Sequence, residues 1–335
     1  MTHWGATILD AEGLSLTADE RAFFREADPF GFILFARNVQ SPEQLRCLTS
    51  EMREAVGREA PVTIDQEGGR VQRLRTPQWR DWIPPLEQVD AAGKQAERVM
   101  YLRYRLIAEE LRDCGIDSNC APLVDVAREE THPFLRNRCY GSDPASVAQI
   151  GRAVAQGHID GGVLPVVKHI PGHGRALSDS HHELPRVKNS RNELEEVDFF
   201  PFFALNDFPI GMTAHVVYEA FDDVPATLSP IVMRLIREQI GFDGLIMTDD
   251  ISMNALKGDL GDLSQRAIAA GCDVVLHCNG TLEEREQVAH AAGRMTNAAQ
   301  VRAENALKLR KSLDQIDISV LETELEALLR GAGNG

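Results

Sequence analysis

The sequence predicts an α/β fold, a (β/α)8 TIM-type barrel with long βα loops. Eight short apolar or β-branched runs recur along the chain, and amphipathic stretches with apolar residues at three- and four-residue spacing separate most of them. This alternation is typical of parallel strands joined by right-handed helical crossovers. No G-x-G-x-x-G follows the first run, which disfavours an open dinucleotide-binding sheet. Polar residues bunch at the carboxyl ends of the runs, where barrel enzymes build their active sites.

Each run predicts one strand and each amphipathic stretch predicts one helix. The predicted strands are 6–9, 32–35, 62–65, 118–124, 164–169, 210–215, 245–249 and 274–277. The predicted helices are 42–56, 95–114, 144–160, 229–240, 263–270 and 282–292. A long loop followed by a helix near 191–204 is expected between the fifth and sixth strands.

The domain organisation follows from what the sequence lacks. No Pro/Ser-rich linker, low-complexity tract or internal repeat divides the 335 residues. We therefore expect residues 1–335 to form a single barrel domain. A charged helical pattern begins at about 300 and predicts a C-terminal helical tail.

The charge balance excludes several classes of partner. The 35 Lys and Arg against 51 Asp and Glu give a formal net charge of −16, whereas a nucleic-acid backbone demands a concentrated basic face. Dense basic clusters that would bind an anionic membrane are also missing from the sequence. The N-terminal segment has no signal-peptide pattern, and the six scattered cysteines are typical of free thiols. We expect a monomeric cytoplasmic protein with neither a nucleic-acid nor a membrane partner.

Titratable side chains gather at the ends of four predicted strands. The third strand ends at Asp65, the fifth at Lys168-His169, the sixth at His215, and the seventh at Asp249-Asp250. One such residue at a strand end is common, but four strand ends that all carry carboxylate, Lys or His indicate an active site.

The densest polar segment, residues 168–185, holds four of the ten histidines. A zinc site is one interpretation, because histidine is the commonest metal ligand. Pro171 and Gly172 make a helix that would align His169 with His173 improbable, and no H-E-x-x-H or cysteine partner is present. We therefore expect no metal. Surface histidines in a loop are the other non-catalytic interpretation.

Within that segment, Asp179-Ser180-His181 suggests acid/base chemistry. In an extended loop residues i and i+2 point the same way, so Asp179 can hydrogen-bond the His181 ring and fix its tautomer. Ser178 and Ser180 are candidate nucleophiles, but neither lies in a G-x-S-x-G elbow. Asp249, at the end of the run GLIMTD, is the more plausible nucleophile, since a carboxylate suits a glycosyl centre that develops positive charge.

The segments KHIPGHGRALSDSH, IMTDD and IDQEGGRVQRL resemble family 3 glycoside hydrolases, and more narrowly the single-barrel bacterial β-N-acetylhexosaminidases of peptidoglycan recycling. The resemblance spans most of the chain. It implies that Asp249 is the nucleophile, that His181 is the acid/base and that Asp179 is the partner of His181. The sugar-binding residues that it implies are Asp65, Arg73, Arg138, Lys168 and His169. Cys139-Tyr140 stand where the family pattern has Ser-Phe after the arginine.

The resemblance implies a retaining, cofactor-free exo-β-N-acetylglucosaminidase that acts on GlcNAc-terminated muropeptide saccharides. It selects Asp249 over Asp250, and strand alternation is expected to point only one of the two at the substrate. A glycoside phosphorylase remains an alternative, because histidine in place of an acidic residue would tolerate an incoming phosphate. A β-glucosidase and a catalytically silent sugar-binding barrel are less favoured alternatives.

Several further residues keep two interpretations. Trp79 and Trp82 could stack on a sugar ring, but a role as loop anchors is favoured. Asp125, His215 and His277 end predicted strands and either line the pocket or fill the mouth of the barrel.

Overall fold

A computed structural model of the chain describes residues 3–176, 183–310 and 317–332. Eight parallel strands form one sheet, and the first seven pair successively in chain order. The first strand also pairs with the last, with Thr7 opposite Val275, and a bridge joins Met247 to Val274. The sheet therefore closes into a barrel, which confirms the predicted fold class. The strands are β1 (Gly5–Asp10), β2 (Pro29–Leu34), β3 (Val62–Ile64), β4 (Ser118–Asn119), β5 (Leu164–Ile170), β6 (Ile210–Thr213), β7 (Leu245–Met247) and β8 (Val275–His277).

On the outside of the barrel, one main helix follows each strand. These helices are α1 (Ala18–Ala27), α2 (Pro42–Val56), α3 (Ala96–Asp113), α4 (Pro144–Asp160), α5 (Phe200–Ala204), α6 (Pro230–Glu238), α7 (Leu260–Ala270) and α8 (Leu282–Ala292). Two helices, α9 (Asn297–Leu307) and α10 (Ile318–Ala332), follow the barrel. Shorter helices or turns are Ala36–Asn38, Pro85–Ala92, Gly93–Gln95, Pro133–Arg136, Arg191–Glu193, Leu194–Asp198 and Ala226–Leu228. Two small sheets pair Gln66–Gly68 with Val71–Gln72, and Arg186–Val187 with Val217–Tyr218.

The second helix illustrates how the local sequence sets the elements. The Ser41 hydroxyl accepts a hydrogen bond from the backbone N–H of Gln44 at 3.2 Å, and Pro42 occupies the first turn, where it has no N–H to satisfy. Gly57 ends the helix in the left-handed conformation, with φ of 66°. Leu45 and Leu48 are fully buried against the barrel. The capping residues therefore set the ends of the helix, and the apolar stripe sets its orientation.

The barrel strands are buried on both faces, because helices cover the outside and side chains fill the inside. All six residues of β1 and all seven of β5 are buried. This is why the predicted strands appear as continuous apolar runs without alternation.

Each predicted strand has an observed counterpart, and the largest difference in length is at β4. β4 ends at Asn119 rather than at 124, since Pro122 has no N–H for the ladder. The chain still continues beside β5, because Ala121 and Pro122 accept hydrogen bonds from the backbone of Val166 and Lys168, both at 3.0 Å.

Two helical features differ from the prediction. The helix expected near 191–204 is divided into Arg191–Glu193, a π-helical turn at Leu194–Asp198, and α5. Pro201 at the start of α5 cannot donate a helical hydrogen bond, which is consistent with the interruption. The helices α1 and Pro85–Ala92 were not predicted.

The C-terminal helix α10 packs against α3. Arg98 Nε lies 2.7 Å from Glu324 Oε1, and Leu325 is buried in the interface. In the part of the chain that the structure describes, no helix is both long and apolar enough to cross a membrane.

Candidate active site

A cavity of about 560 Å³ opens at the carboxyl ends of the barrel strands. Six of the eight predicted site residues line it, namely Asp65, Arg73, Arg138, Lys168, His169 and Asp249. The other two, Asp179 and His181, lie outside the described residues. The structure therefore brings together the predicted nucleophile and the predicted sugar-binding residues, and the acid/base pair stays a prediction.

Asp65 directly follows β3 and is held between two cations. Arg73 Nη2 donates to Asp65 Oδ2 at 3.0 Å, and Lys168 Nζ lies 3.3 Å from Asp65 Oδ1. Burial favours a higher pKa for Asp65, but Lys168 and Arg73 outweigh it and lower the pKa below the ordinary value. Asp65 is therefore an ionised acceptor, suited to the hydroxyl groups of a sugar.

Glu67 lies beneath these residues, and nothing in the sequence motif IDQEGGRVQRL marks it as a site residue. Both of its oxygens bind Arg138, at 2.9 Å from Nε and 2.8 Å from Nη2, and Lys168 Nζ lies 2.6 Å from Glu67 Oε1. Burial favours a higher pKa for Glu67, but Arg138 and Lys168 lower it well below the ordinary value. Glu67 therefore positions two cations at the cavity floor.

Lys168 and His169 are adjacent in β5, yet both side chains reach the cavity. Alternation would point neighbouring strand residues to opposite faces. The pairing of β5 with β6 shifts register between Lys168 and Ile170, as in a β-bulge, so the alternation is interrupted at this place.

Asp125 is completely buried and organises the segment that follows β5. Asp125 Oδ2 lies 2.7 Å from His169 Nδ1, and Asp125 Oδ1 accepts a hydrogen bond of 2.6 Å from the backbone N–H of His173. With Nδ1 directed to Asp125, His169 Nε2 faces Asp249 Oδ2 at 4.0 Å. Asp125 therefore orients a predicted sugar-binding histidine and lies beneath the cavity rather than lining it.

Asp249 follows β7 and keeps about a fifth of its side chain exposed, at 19 %. Its Oδ1 accepts a hydrogen bond of 2.8 Å from the backbone N–H of Asp250. Burial favours a higher pKa for Asp249, but His169, His215 and Lys168 lower it below the ordinary value. An ionised carboxylate in a partly enclosed cavity can act as a nucleophile.

The expectation that only one of Asp249 and Asp250 faces the cavity is wrong. Both residues line it, because β7 ends at Met247 and strand alternation no longer applies beyond that residue. Asp250 Oδ1 accepts hydrogen bonds from the backbone N–H of Ser252 at 3.0 Å and of Cys278 at 3.2 Å. Burial raises the pKa of Asp250 to about 6. The two carboxyl groups therefore differ in hydrogen bonding and in the direction of their pKa shifts.

The remaining candidates lie in the core. Trp79 and Trp82 are buried in the hydrophobic core, which agrees with their interpretation as loop anchors. His215 Nδ1 lies 2.7 Å from Thr227 Oγ1, and both His215 and His277 are completely buried. His215 and His277 therefore fill the barrel beneath the cavity.

The cavity floor also carries thiols. Cys120 and Cys278 line the cavity as free cysteines, and burial raises the pKa of both. Neutral thiols suit a packing role. Among residues 3–176, 183–310 and 317–332, no group of three or more His, Cys, Asp or Glu is placed to hold a metal ion.

Comparison with known proteins places this arrangement in a family. The glycosyl hydrolase family 3 N-terminal domain matches residues 12–308. A β-hexosaminidase from Alkalilimnicola ehrlichii is 38% identical over 283 residues, which are 82% of this chain and 81% of that protein. A β-hexosaminidase from Chromobacterium violaceum is 38% identical over 289 residues, which are 82% of this chain and 79% of that protein.

Solved structures share the same fold. NagZ from Neisseria gonorrhoeae, in complex with N-trifluoroacetyl-D-glucosamine, superposes with a TM-score of 0.83 at 29% identity, over 99% of this chain and 98% of that chain. A family 3 β-N-acetylglucosaminidase from Paenibacillus superposes with a TM-score of 0.83 at 29% identity, over 98% of this chain and 67% of that chain.

Proposed function

Because the chain belongs to glycosyl hydrolase family 3 and is a β-N-acetylhexosaminidase, we propose that it is a retaining exo-β-N-acetylglucosaminidase. The observation that carries the proposal is Asp249, an ionised carboxylate in the same cavity as a set of cations and hydrogen-bonding groups. The proposed substrates are GlcNAc-terminated saccharides derived from peptidoglycan.

The proposed reaction has two steps. Asp249 attacks the anomeric carbon as the bond to the leaving oxygen breaks, and His181 donates a proton to that oxygen. His181, now neutral, then takes a proton from water, which attacks the same carbon and releases Asp249 and the sugar. Asp179 would orient His181 through both steps. Retention follows because the anomeric carbon is inverted twice.

The buried charge pairs favour an exo enzyme. Asp65, Arg73 and His169 present acceptors and donors to sugar hydroxyls, while Arg138 and Lys168 are fixed from below by Glu67. The buried ion pairs close the floor of the cavity. A saccharide could therefore enter with its terminal sugar but could not extend through the floor. The single terminal sugar would therefore sit over Asp249.

The identity of the sugar and the setting are also proposals. The N-trifluoroacetyl-D-glucosamine complex of the Neisseria gonorrhoeae protein supports GlcNAc as the terminal sugar, and the sequence resemblance supports peptidoglycan recycling. We further propose that residues 1–335 act as one monomeric cytoplasmic domain without metal, cofactor or nucleic-acid partner. The packing of α10 on α3 supports a single domain.

Covalent trapping tests the proposal. The protein is incubated with 5-fluoro-β-GlcNAc fluoride, digested, and analysed by mass spectrometry. We expect the label on Asp249, no label in Asp249→Asn, and normal labelling in the surface variant Asp262→Asn, whose carboxylate is largely exposed. Label on Asp250 instead, or turnover without a trapped species, contradicts the nucleophile assignment.

The natural reaction is tested on GlcNAc-anhydro-muropeptide with and without phosphate. We expect free GlcNAc at the same rate in both conditions. Formation of GlcNAc 1-phosphate in place of GlcNAc would identify a phosphorylase, and cleavage of an aryl glucoside at a comparable rate would identify a β-glucosidase.

A further inference from the structure

A cation outside the proposed sugar-binding set also faces the cavity. Arg37 follows β2, lines the same cavity as Asp249, and keeps about a third of its side chain exposed, at 33%. The proposed reaction gives it no part. Its position at the edge of the cavity raises the question of which ligand group it would meet.

Arg37 is held in one orientation. Its Nε donates to the carbonyl of Ala11 at 3.2 Å, its Nη1 donates to Asn279 Oδ1 at 2.5 Å, and its Nη2 donates to Asp10. A guanidinium carries five N–H groups, so two have no partner among the residues that the structure describes and are available to a ligand. An arginine that is already oriented loses little side-chain entropy when it binds an anion.

The surrounding contacts show on which side of the cavity Arg37 lies. The guanidinium groups of Arg37 and Arg73 lie 5.0 and 5.5 Å from the centroid of the Phe35 ring. Phe35 therefore separates Arg37 from Arg73, which is one of the proposed sugar-binding residues. On the other side, the chain runs from Asn279 to Cys278, whose backbone N–H binds Asp250 Oδ1, next to the nucleophile. Arg37 therefore flanks the sugar position at the side of the cavity formed after β2 and β8.

Arg37 shares its carboxylate partner with a second arginine. Its partner Asp10 is fully buried and is shared with Arg285, whose Nε lies 2.7 Å from Asp10 Oδ1. Arg285 also pairs with the buried Glu20 at 3.4 Å, so both arginines have a carboxylate partner. Of the two, Arg37 is the one that is exposed and lines the cavity. Arginine binds carboxylates through short, charge-assisted hydrogen bonds.

We propose that Arg37 binds a carboxylate carried by the leaving group, and so makes the enzyme selective for acidic aglycones. The inference rests on the proposed function, and it concerns saccharides whose muramic acid no longer carries a peptide. In a muropeptide the lactyl carboxyl is an amide, whereas in the peptide-free saccharide it is a free carboxylate. Arg37 is then a specificity residue of the leaving-group site, separate from the residues that hold the terminal GlcNAc.

Three disaccharides that differ at one group test this inference. They are the methyl glycosides of GlcNAc-β-1,4-MurNAc, of its lactyl amide, and of GlcNAc-β-1,4-GlcNAc. The amide keeps the bulk of the lactyl group but removes the charge. We expect the wild-type kcat/KM for the acid to exceed that for the amide by about tenfold, as for one charge-assisted hydrogen bond. We also expect this ratio to fall at high salt.

Variants assign the preference to Arg37. Arg37→Gln is expected to bring the acid-to-amide ratio of kcat/KM close to one. Arg37→Lys is expected to give an intermediate ratio, because lysine keeps the charge but lacks the planar set of N–H donors of the guanidinium group. The matched control Arg152→Gln removes an exposed arginine that pairs with Asp207, and should keep the wild-type ratio. Because the ratio is internal to one preparation, a partly unfolded variant still reports it.

A variant that leaves Arg37 in place guards against misfolding of Arg37→Gln. Asn279→Gly removes the Oδ1 that orients Arg37, and glycine tolerates the φ of 60° at that position. This variant should also lower the ratio.

Two failures can be told apart. A wild-type ratio near one, or a ratio unchanged in Arg37→Gln, overturns the inference and leaves the proposed function standing. If an aryl GlcNAc glycoside is cleaved but neither MurNAc disaccharide is, the proposed peptidoglycan substrate and the inference both fail.

Discussion

Replacing Glu67 by glutamine should strongly destabilise the protein, because this carboxylate holds two buried cations. The substitution keeps the shape of the side chain and removes its charge. Lys168 then loses a partner at 2.6 Å and Arg138 loses a bidentate one. Removing one member of a buried ion pair costs about 3–5 kcal/mol, because the other charge stays buried without compensation.

The assay is equilibrium unfolding in urea at neutral pH. The free energies of unfolding of wild type and variant are compared, with the same dependence on urea concentration required of both. The matched control is Asp207→Asn, which removes the same kind of charge from an exposed pair with Arg152 at a similar distance of 2.8 Å. We expect that control to lose less than about 1 kcal/mol. Losses of the same size in both variants would refute the argument that burial makes the Glu67 pairs important.

The pH dependence gives a second check on Glu67. Because its pKa is lowered in the folded protein from an ordinary 4.5, the stabilisation by Glu67 is fully present above that value and is lost as the pH falls. The difference between wild type and Glu67→Gln should therefore shrink below about pH 4.5. A difference that stays constant from pH 7 to pH 3.5 would contradict an ionic role.

Three further predictions concern the reaction and the neighbouring carboxyl groups. His181→Ala should lose about 10²–10⁴ in kcat on a disaccharide but much less on a 4-nitrophenyl glycoside, and equal losses on both would count against His181 as the acid. Asp125→Asn should lower kcat/KM for an aryl GlcNAc glycoside by roughly 10- to 100-fold, since an amide cannot accept from both His169 and the loop backbone; a change within twofold would disprove this positioning role. Asp250→Asn should raise the free energy of unfolding at pH 7.5 by up to about 3 kcal/mol and have little effect near pH 4. The reason is that the pKa of Asp250 is raised to about 6, so its ionised form destabilises the folded state. Thermal unfolding at the two pH values measures this, and a gain that is equal at both values would contradict it.

The sequence predicts the parts of the fold that depend on local pattern. The eight strands are recognisable because burial on both faces makes each one a short apolar run. Lys168, His169 and Asp249 are recognisable because they stand where such runs end. The register break that turns both Lys168 and His169 into the cavity depends on the pairing of β5 with β6, and no single run of sequence contains that information.

The supporting residues could not be assigned for a different reason. Glu67 and Arg138 are 71 positions apart, and Asp125 and His169 are 44 positions apart, so their pairing exists only once the barrel is closed. Rules based on spacing apply within one helix or strand. Burying a carboxylate without partners costs free energy. Because Glu67 lies in the segment IDQEGG, directly after a buried strand, this cost indicates that it has a cationic partner elsewhere in the chain.

The pairing of β1 with β8 has a consequence for synthesis on the ribosome. The first strand can complete its hydrogen bonds only after the last strand emerges, and Asp10 binds Arg285 across 275 positions. Joining such distant segments is slow, since the entropy of closing a long loop must be overcome before the contacts form. A growing chain that has already produced Asp249 still has an open sheet with an unpaired edge at β1. We expect the nascent enzyme to remain inactive, and exposed to pairing with other chains, until the final tenth or so of the barrel has been translated.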